Sequence, residues 1–201
     1  SEIPHIRSEV AGFSVNGMIC ISTGYNFELD YAYNDIFGYN PSTNRWEQQT
    51  PMPTTGRVSA RGGALNGKGF IALGYYGGSF LNDTWEFDPS TMSWTTKAAF
   101  PGTERQEAFS FVINNKFYIG GGLNNNLNTV YSDLWEYDPI LNTWTQKANI
   151  TGARYGAFGV GHGNVGFIGG GQVLSGSGNE FWEYNPSSNT WTAKANIGGT
   201  S

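Results

Sequence analysis

A block of about fifty residues recurs four times along the 201-residue chain, and this repeat restricts the fold more than any single motif. The blocks run over 7–56, 57–104, 105–153 and 154–201, after a short leader at 1–6. Each block carries an arginine, a glycine, a proline and a tryptophan at corresponding places: Arg7, Arg57, Arg105, Arg154; Gly24, Gly74, Gly122, Gly171; Pro41, Pro89, Pro139, Pro186; Trp46, Trp94, Trp144, Trp191. A period of this length is typical of stacked supersecondary units.

The second block predicts four short antiparallel strands. A small, glycine-rich segment at 60–65 and an apolar segment at 70–73 lie on either side of Asn66 and Gly67, a strong two-residue hairpin signal. Residues 84–87 alternate between apolar and polar, Asp88 and Pro89 form a turn, and the last strand begins at Ser93. Because no segment has the helical period, the unit is predicted to be a four-stranded antiparallel meander.

The four aligned blocks also assign faces to the strands. One face of the first strand is built of small residues in every block: Val10, Gly12, Ser14; Ala60, Gly62, Ala64; Ala108, Ser110, Val112; Ala157, Gly159, Gly161. Small residues suit strands that crowd around a central axis, and the aromatic residues of the third strand suit packing between neighbouring sheets. An all-β propeller, in which each sheet buries its faces on its neighbours, has both features.

These features resemble the kelch-repeat β-propellers over nearly the whole chain. The similarity rests on glycine runs after an apolar strand (120–122 and 169–171), on Tyr137 with Asp138, and on a tryptophan six or seven residues later. The first block departs from the pattern, since Phe37 and Gly38 replace Trp-Glu there. The resemblance implies a propeller of four kelch-type, four-stranded antiparallel blades. The chain is similar to secreted or surface kelch proteins of bacteria and, distantly, to kelch-type sialic acid mutarotases.

The sequence does not show how the ring of blades is completed. Kelch rings usually have six or seven blades, whereas this chain supplies four. The chain is expected to be a segment of a longer propeller, to associate with itself or another chain, or to close alone as a four-bladed ring. An open arc would expose large aromatic faces between blades, which soluble monomers avoid.

Composition and charge limit the partners. A net charge of −5 argues against nucleic acid as a partner, because binding to a phosphate backbone requires a basic surface. No apolar run is long enough for membrane insertion. Two separated histidines and one cysteine offer no plausible spacing for a metal site, so neither metal nor cofactor is predicted. With only 13% charged residues and many small polar ones, the chain is expected to be extracellular, at the cell surface or periplasmic.

Residues that recur at one place in every block are predicted to build the blades. They include the acids before the third strand: Asp35, Asp83, Asp133 and Glu180. The lysines Lys97, Lys147 and Lys194 fall on the outermost strand, where lysine discourages pairing between sheet edges. Cys20 and His162 align with apolar residues of the other blocks, so both are predicted to fill core positions.

The loops between the second and third strands differ most among the blocks and are expected on the ring face that also carries the connections between blades. They span 25–34, 75–82, 123–132 and 172–179. With two of the leading arginines they make up the candidate ligand-binding residues: Tyr25, Glu28, Asp30, Tyr31, Tyr33, Tyr75, Tyr76, Phe80, Arg105, Asn124, Asn125, Asn126 and Arg154. Aromatic rings and amides suit a glycan or an extended peptide. The alternatives are polar, variable surface loops, and arginines that bond to neighbouring loops.

Three functions follow from this sequence. The first is a non-catalytic binding or scaffolding module that recognises a glycan or a protein partner through one ring face. The second is a carbohydrate-active enzyme of the mutarotase type, for which Glu28 or Glu107 would act with Arg105 or Arg154. The third is a purely structural segment of a surface assembly. Fold alone does not decide among these functions.

Overall fold

The chain folds as an all-β protein in a computed structural model that describes residues 5–174 and 178–198. Within these ranges the regular elements are β-strands and one 3₁₀ turn. Residues up to Gln106 form one compact unit with blades 1 and 2, and residues from Glu107 onward form a second with blades 3 and 4. The first four residues of the predicted leader lie outside the described ranges.

Blades 1 and 2 are four-stranded antiparallel sheets. Blade 1 has the order β1 (Ala11–Val15), β2 (Met18–Ser22), β5 (Ile36–Asn40), β6 (Arg45–Gln48). Blade 2 has the order β7 (Arg61–Leu65), β8 (Lys68–Ala72), β11 (Thr84–Asp88), β12 (Ser93–Lys97). Between the second and third strands of each blade lies a small hairpin whose two strands have two residues each. These are β3 (Tyr25–Asn26) with β4 (Tyr31–Ala32) in blade 1, and β9 (Tyr75–Tyr76) with β10 (Ser79–Phe80) in blade 2.

Blades 3 and 4 repeat this arrangement. Blade 3 contains β13 (Phe109–Ile113), β14 (Lys116–Gly120), β17 (Leu134–Asp138) and β18 (Thr143–Lys147), with β15 (Leu123–Asn124), a 3₁₀ turn (Asn125–Leu127) and β16 (Thr129–Val130) in its loop. Blade 4 contains β20 (Phe158–His162), β21 (Val165–Gly169), β23 (Phe181–Asn185) and β24 (Thr190–Ala193), while β19 (Arg154–Tyr155) pairs with β22 (Gln172–Val173). The predicted meander is confirmed in all four blocks.

The hairpin between the first and second strands follows from local turn chemistry. Asn66 and Gly67 both have positive φ, at 50° and 75°, and connect β7 to β8 in the register Leu65 to Lys68. Positive φ at both central residues is what a type I′ turn requires, and it matches the right-handed twist of the flanking strands. Asn16 and Gly17 repeat this conformation in blade 1.

The first strands of neighbouring blades approach closely within each unit, as the small residues predict. A Cβ at Gly62 would lie 2.7 Å from the carbonyl oxygen of Gly12, and one at Gly159 would lie 2.3 Å from that of Ser110. Neither position has room for a side chain without backbone movement. Glycine is therefore required there by the approach of another backbone and not by a turn.

The aromatic residues of the third strand lie between blades, also as predicted. In the first unit, Phe87 of β11 is fully buried in a cluster with Phe13 of β1 and Ile71 of β8. In the second unit, Tyr184 of β23 packs in the same way against Phe111 of β13. Cys20 is completely buried in the first of these clusters, and burial raises the pKa of its thiol to about 11. Its predicted core position is confirmed.

The predicted core position of His162 is wrong. Its counterparts Val15, Leu65 and Ile113 are 2–3% exposed, whereas His162 is exposed. The whole face of β20 shares this difference, because Phe158 and Val160 are 50% and 49% exposed. The first strand of blade 4 therefore differs in exposure from the first strands of the other three blades.

Candidate ligand-binding surface

The connection between consecutive blades lies against the loop of the earlier blade. In the first unit, the Gly24 amide donates to the Arg57 carbonyl at 2.9 Å, and the Arg57 amide donates to the Tyr33 carbonyl at 3.2 Å. In the second unit, Gly122 donates to Arg154 at 2.8 Å. In both units the connection between the two blades therefore lies at the same end of the strands as the loop between the second and third strands.

The recurring arginine and the recurring acid of a block form an ion pair. The Arg57 Nη2 lies 2.8 Å from Asp83 Oδ2, and Arg154 Nη2 lies 2.6 Å from Glu180 Oε2. Arg7 pairs with Asp35 in the same way, at 2.9 Å between Nη2 and Oδ2. The arginine also donates to a carbonyl at the end of the second strand, as Arg57 does to Leu73 at 3.2 Å. These contacts tie the entry of each blade to the start of its third strand.

The acid of the pair is held in its charged form. Burial by itself would raise the pKa of Asp83. The hydrogen bond and positive charge of Arg57, together with the hydrogen bond from the Trp85 indole at 2.7 Å, outweigh burial and hold the pKa below its usual value. Asp83 is thus a structural anion, in agreement with the prediction for the recurring acids.

The loop of blade 1, residues 25–34, presents the most exposed apolar side chains of the first unit's loops. Its tip is braced by Asn26, whose Oδ1 accepts hydrogen bonds from the amides of Glu28 and Leu29 at 2.9 and 3.0 Å. This side-chain turn points Phe27, Leu29 and Tyr31 toward solvent, at 72%, 67% and 52% exposure. The carboxylates of Glu28 and Asp30 are exposed between them.

Two ring contacts order this loop. The Tyr25 ring lies edge-on to Phe27 with centroids 5.0 Å apart, and its hydroxyl donates to the Asp30 carboxylate. That hydrogen bond to a charged acceptor raises the pKa of Tyr25. On the other side of the loop, Tyr31 lies edge-on to Tyr33 at 5.1 Å. Asp30 and Tyr31 are thus consecutive residues of the loop, with the Asp30 carboxylate bonded to Tyr25 and the Tyr31 ring packed against Tyr33.

Tyr33 is a support and not a surface residue. It is 7% exposed and is stacked on the His5 ring at 5.4 Å, with the Arg7 guanidinium 4.0 Å from its centroid. A cation over a tyrosine face is attracted by the electron-rich ring. The blade-1 loop is therefore anchored through Tyr33 to the arginine–acid pair of its own blade.

The loop of blade 2, residues 75–82, carries a smaller aromatic group. Tyr75 and Phe80 are paired across the β9–β10 hairpin, with ring centroids 5.0 Å apart. Gly77 and Gly78 turn the hairpin with positive φ, and Tyr76 is 43% exposed beside them.

The loops of the second unit offer amides instead of aromatic rings. Asn124 is 2% exposed, and its side chain caps the 3₁₀ turn by accepting from the Leu127 amide at 3.2 Å. Asn125 and Asn126 are exposed. In blade 4 the Tyr155 hydroxyl donates to Gln172. Residues 175–177 of the predicted fourth loop lie outside the described ranges.

The candidate residues thus fall into three groups by accessibility. Glu28, Asp30, Tyr31, Tyr76, Asn125 and Asn126 are exposed; Tyr25, Tyr75 and Phe80 are half-buried; Tyr33, Arg105, Asn124 and Arg154 are buried. Arg105 and Arg154 are 1% and 0% exposed. Leu29 was not among the candidates, although its place between two acids in the blade-1 loop is the signal that would have included it.

Over 5–174 and 178–198, no group of three or more His, Cys, Asp or Glu side chains is placed to hold a metal ion. Within the same ranges, no helix has the length and apolar character needed to cross a membrane.

Comparison with known proteins agrees with this architecture. The family model for the kelch motif matches residues 105–150, which lie within blade 3. The solved structure of YjhT superposes with a TM-score of 0.82 at 16% sequence identity, covering 100% of this chain and 68% of that chain. Identity this low shows a common fold and nothing more. No curated protein sequence matches significantly.

Four antiparallel, four-stranded sheets with repeated packing between neighbouring blades define a β-propeller fold, and the kelch motif matches residues 105–150 of it. This confirms the fold predicted from the repeat. Propellers with kelch motifs are commonly binding modules.

Proposed function

We propose that this protein is a non-catalytic binding module whose blade-1 loop contacts a glycan. A single observation carries the proposal: Tyr31, whose ring is 52% accessible, directly follows the exposed Asp30 on a loop whose turn is braced by Asn26. An aromatic face packs against the apolar face of a sugar ring, while a carboxylate accepts hydrogen bonds from sugar hydroxyls. Bracing lowers the entropy lost on binding.

The charge of the loop narrows the class of glycan. Glu28 and Asp30 are both exposed acids, and the chain carries a net charge of −5. Like charges in contact are unfavourable, so a neutral sugar is preferred over a sialylated or sulfated one. The proposal therefore commits to neutral glycans, in keeping with an extracellular, cell-surface or periplasmic location, which stays a proposal.

The mutarotase alternative has less support from the geometry. It requires an arginine that binds an anionic sugar beside an acid or base. Arg105 and Arg154 are buried, and Arg154 already pairs with Glu180 at 2.6 Å. Binding of a ligand by either guanidinium would need the blade entry to open, which is why binding without catalysis is preferred here.

An array of neutral and anionic glycans tests the proposal. We expect the wild-type protein to be retained on one or more neutral glycans, and Tyr31→Ala to weaken that binding about two- to tenfold, since one lost aromatic contact amounts to about 0.5–1.5 kcal/mol. Asp30→Asn should weaken it as well. Asparagine tolerates the positive φ of 50° at this position, so the turn is preserved.

Ile140→Ala is the matched control, because Ile140 is 81% exposed on a turn of blade 3, away from the blade-1 loop in the sequence. It should bind like the wild type. Retention on anionic glycans alone, or equal binding by Tyr31→Ala and wild type, would contradict the proposal. Absence of glycan binding together with Tyr31-dependent binding of a protein would move the function to the protein-partner alternative.

A further inference from the structure

The turn between the first and second strands has the same backbone in three blades but is built from different residues. Both of its central residues have positive φ: Asn16 and Gly17 at 49° and 78°, Asn66 and Gly67 at 50° and 75°, Asn114 and Asn115 at 50° and 54°. All six residues are exposed. The chain thus carries one turn with an Asn-Gly pair in two blades and with an Asn-Asn pair in a third, so the effect of the second residue can be compared within one protein.

An asparagine side chain can react with the backbone nitrogen of the residue that follows it. That nitrogen forms a bond to Cγ, the bond between Cγ and Nδ2 breaks, and ammonia leaves with the proton of the backbone amide. Water then opens the resulting five-membered imide at either carbonyl and leaves aspartate or isoaspartate. A following glycine favours this reaction, because it has no Cβ to obstruct the nitrogen and permits the backbone conformations through which the ring closes.

Asn66 and Gly67 of blade 2 are placed for this reaction. The ladder between β7 and β8 closes with Leu65 and Lys68, so the Gly67 amide lies outside the ladder. Over residues 5–106, the part of the first unit that the structure describes, no hydrogen bond holds the Asn66 side chain. Its carboxamide is therefore free to turn toward the Gly67 nitrogen whenever the exposed turn opens locally.

Asn16 of blade 1 also precedes a glycine, but its side chain is held. Its Nδ2 donates to the Gly67 carbonyl of the next blade at 3.5 Å, and a Cβ at Gly67 would lie 3.3 Å from its Oδ1. The carboxamide of Asn16 therefore rests on the turn of blade 2 and must leave it before Cγ can reach the Gly17 nitrogen. The loss of these contacts adds to the barrier of the reaction.

We propose that Asn66 is a site of spontaneous deamidation and that it reacts before Asn16, although both precede glycine. The product adds one negative charge at an exposed turn of a chain whose net charge is −5. Where isoaspartate forms, the backbone gains one carbon between Leu65, which is buried, and Lys68. The turn and the loop at 75–82 follow opposite ends of β8, so this site is separate from the candidate ligand-binding surface.

The experiment follows the full chain during incubation in mildly alkaline buffer. Peptides are analysed by mass spectrometry after proteolysis, and chromatography separates the aspartate and isoaspartate products. In the wild type we expect Asn66 to be converted at least about threefold faster than Asn16, the factor that one hydrogen bond of ordinary net strength gives. Asn114, which precedes asparagine, should be unchanged over the same time. Circular dichroism before and after incubation verifies that the protein stays folded.

Exchange of the second residue between two turns provides the decisive measurement. Gly67→Asn gives blade 2 the Asn-Asn pair that blade 3 accommodates at positive φ, so the variant should fold and the conversion of Asn66 should stop. Asn115→Gly gives blade 3 the Asn-Gly pair and should make Asn114 reactive. In the described part of the second unit no hydrogen bond holds the Asn114 side chain, so its rate should match that of Asn66 in the wild type.

Three results would overturn the inference. The first is equal conversion of Asn16 and Asn66, or conversion of neither. The second is conversion of Asn66 that persists in Gly67→Asn. The third is an Asn115→Gly variant in which Asn114 stays unreacted. None of these measurements involves a glycan, so the outcome is independent of the proposed function.

Discussion

At the scale of single residues, the recurring arginines are structural, although an arginine at a loop face is an attractive ligand for an anion. Arg57 is completely buried, pairs with Asp83 and donates to the Leu73 carbonyl. The pair was not predicted. Its signal was present in the sequence, because arginine and acid recur together in every block and are 26 or 28 positions apart.

Replacement of Arg57 by alanine is expected to lower the free energy of unfolding by about 3 kcal/mol, since it leaves the carboxylate of Asp83 partly buried and without its cation. This loss lies at the lower end of the range for breaking a buried ion pair, because the Asp83 side chain is 35% exposed. Urea denaturation followed by tryptophan fluorescence measures it. Arg45→Ala, at an exposed position of β6, should change stability by no more than about 0.5 kcal/mol. Equal effects of the two substitutions would contradict a structural role of the pair.

At the scale of elements, the first strand of a blade is shaped by the backbone beside it. Gly12, Gly62 and Gly159 occupy the same place in three blades, but their surroundings differ. A Cβ at Gly159 would lie 2.3 Å from the Ser110 carbonyl oxygen, whereas one at Gly12 would lie 3.7 Å from the Cys20 carbonyl oxygen, an ordinary contact distance. The alignment of the blocks cannot show this difference, because it depends on which blade lies next to the strand.

Gly159→Ala is therefore expected to destabilise the protein by about 1–3 kcal/mol, the range for forcing an extra carbon into a packed region. Gly12→Ala should be neutral or stabilising by up to about 1 kcal/mol, because alanine restricts the unfolded chain and fits the native backbone. Thermal unfolding by circular dichroism compares the two. A loss of stability in Gly12→Ala as large as in Gly159→Ala would show that the small residues are needed for a reason other than backbone approach.

At the scale of the whole molecule, acid stability follows from the paired carboxylates. Arg57 and Trp85 hold the pKa of Asp83 below its usual value against the opposing effect of burial. The hydrogen bond from Lys116 does the same for the pKa of Asp138, and hydrogen bonds from Ser90 lower the pKa of Asp88 to about 2. In the unfolded chain an aspartate has a pKa of about 3.9.

Because these pKa values are lower in the folded state, the unfolded state binds more protons at acid pH. The stability they contribute is complete above the unfolded pKa and is lost as the pH falls through the folded values, toward about pH 2. We expect the urea midpoint to be level near neutral pH and to fall steadily below about pH 4. Asp83→Asn should show a shallower fall than the wild type. An identical pH profile for the two proteins would contradict the role of Asp83.

The local sequence pattern was sufficient to predict the strands and turns within a blade. The signals used were local in the sequence: turn residues such as Asn66 and Gly67, and the alternation at 84–87. Because the block recurs, such signals can be compared among its copies. The core position of Cys20 was found in the same way. For the candidate surface, the sequence located the variable loops but not the accessibility of their residues.

The residue pattern therefore specifies the blade: its four strands, its turns and the residues that recur to hold it together. Which of these residues are buried depends on packing between segments that are distant in the sequence. His162 and Val160 have the pattern of a buried strand and are exposed, while Arg105 and Asn124 are buried at the loop edge. Burial depends on what lies against a surface in the folded protein, so residues at equivalent places of the repeat differ in burial when their surroundings differ.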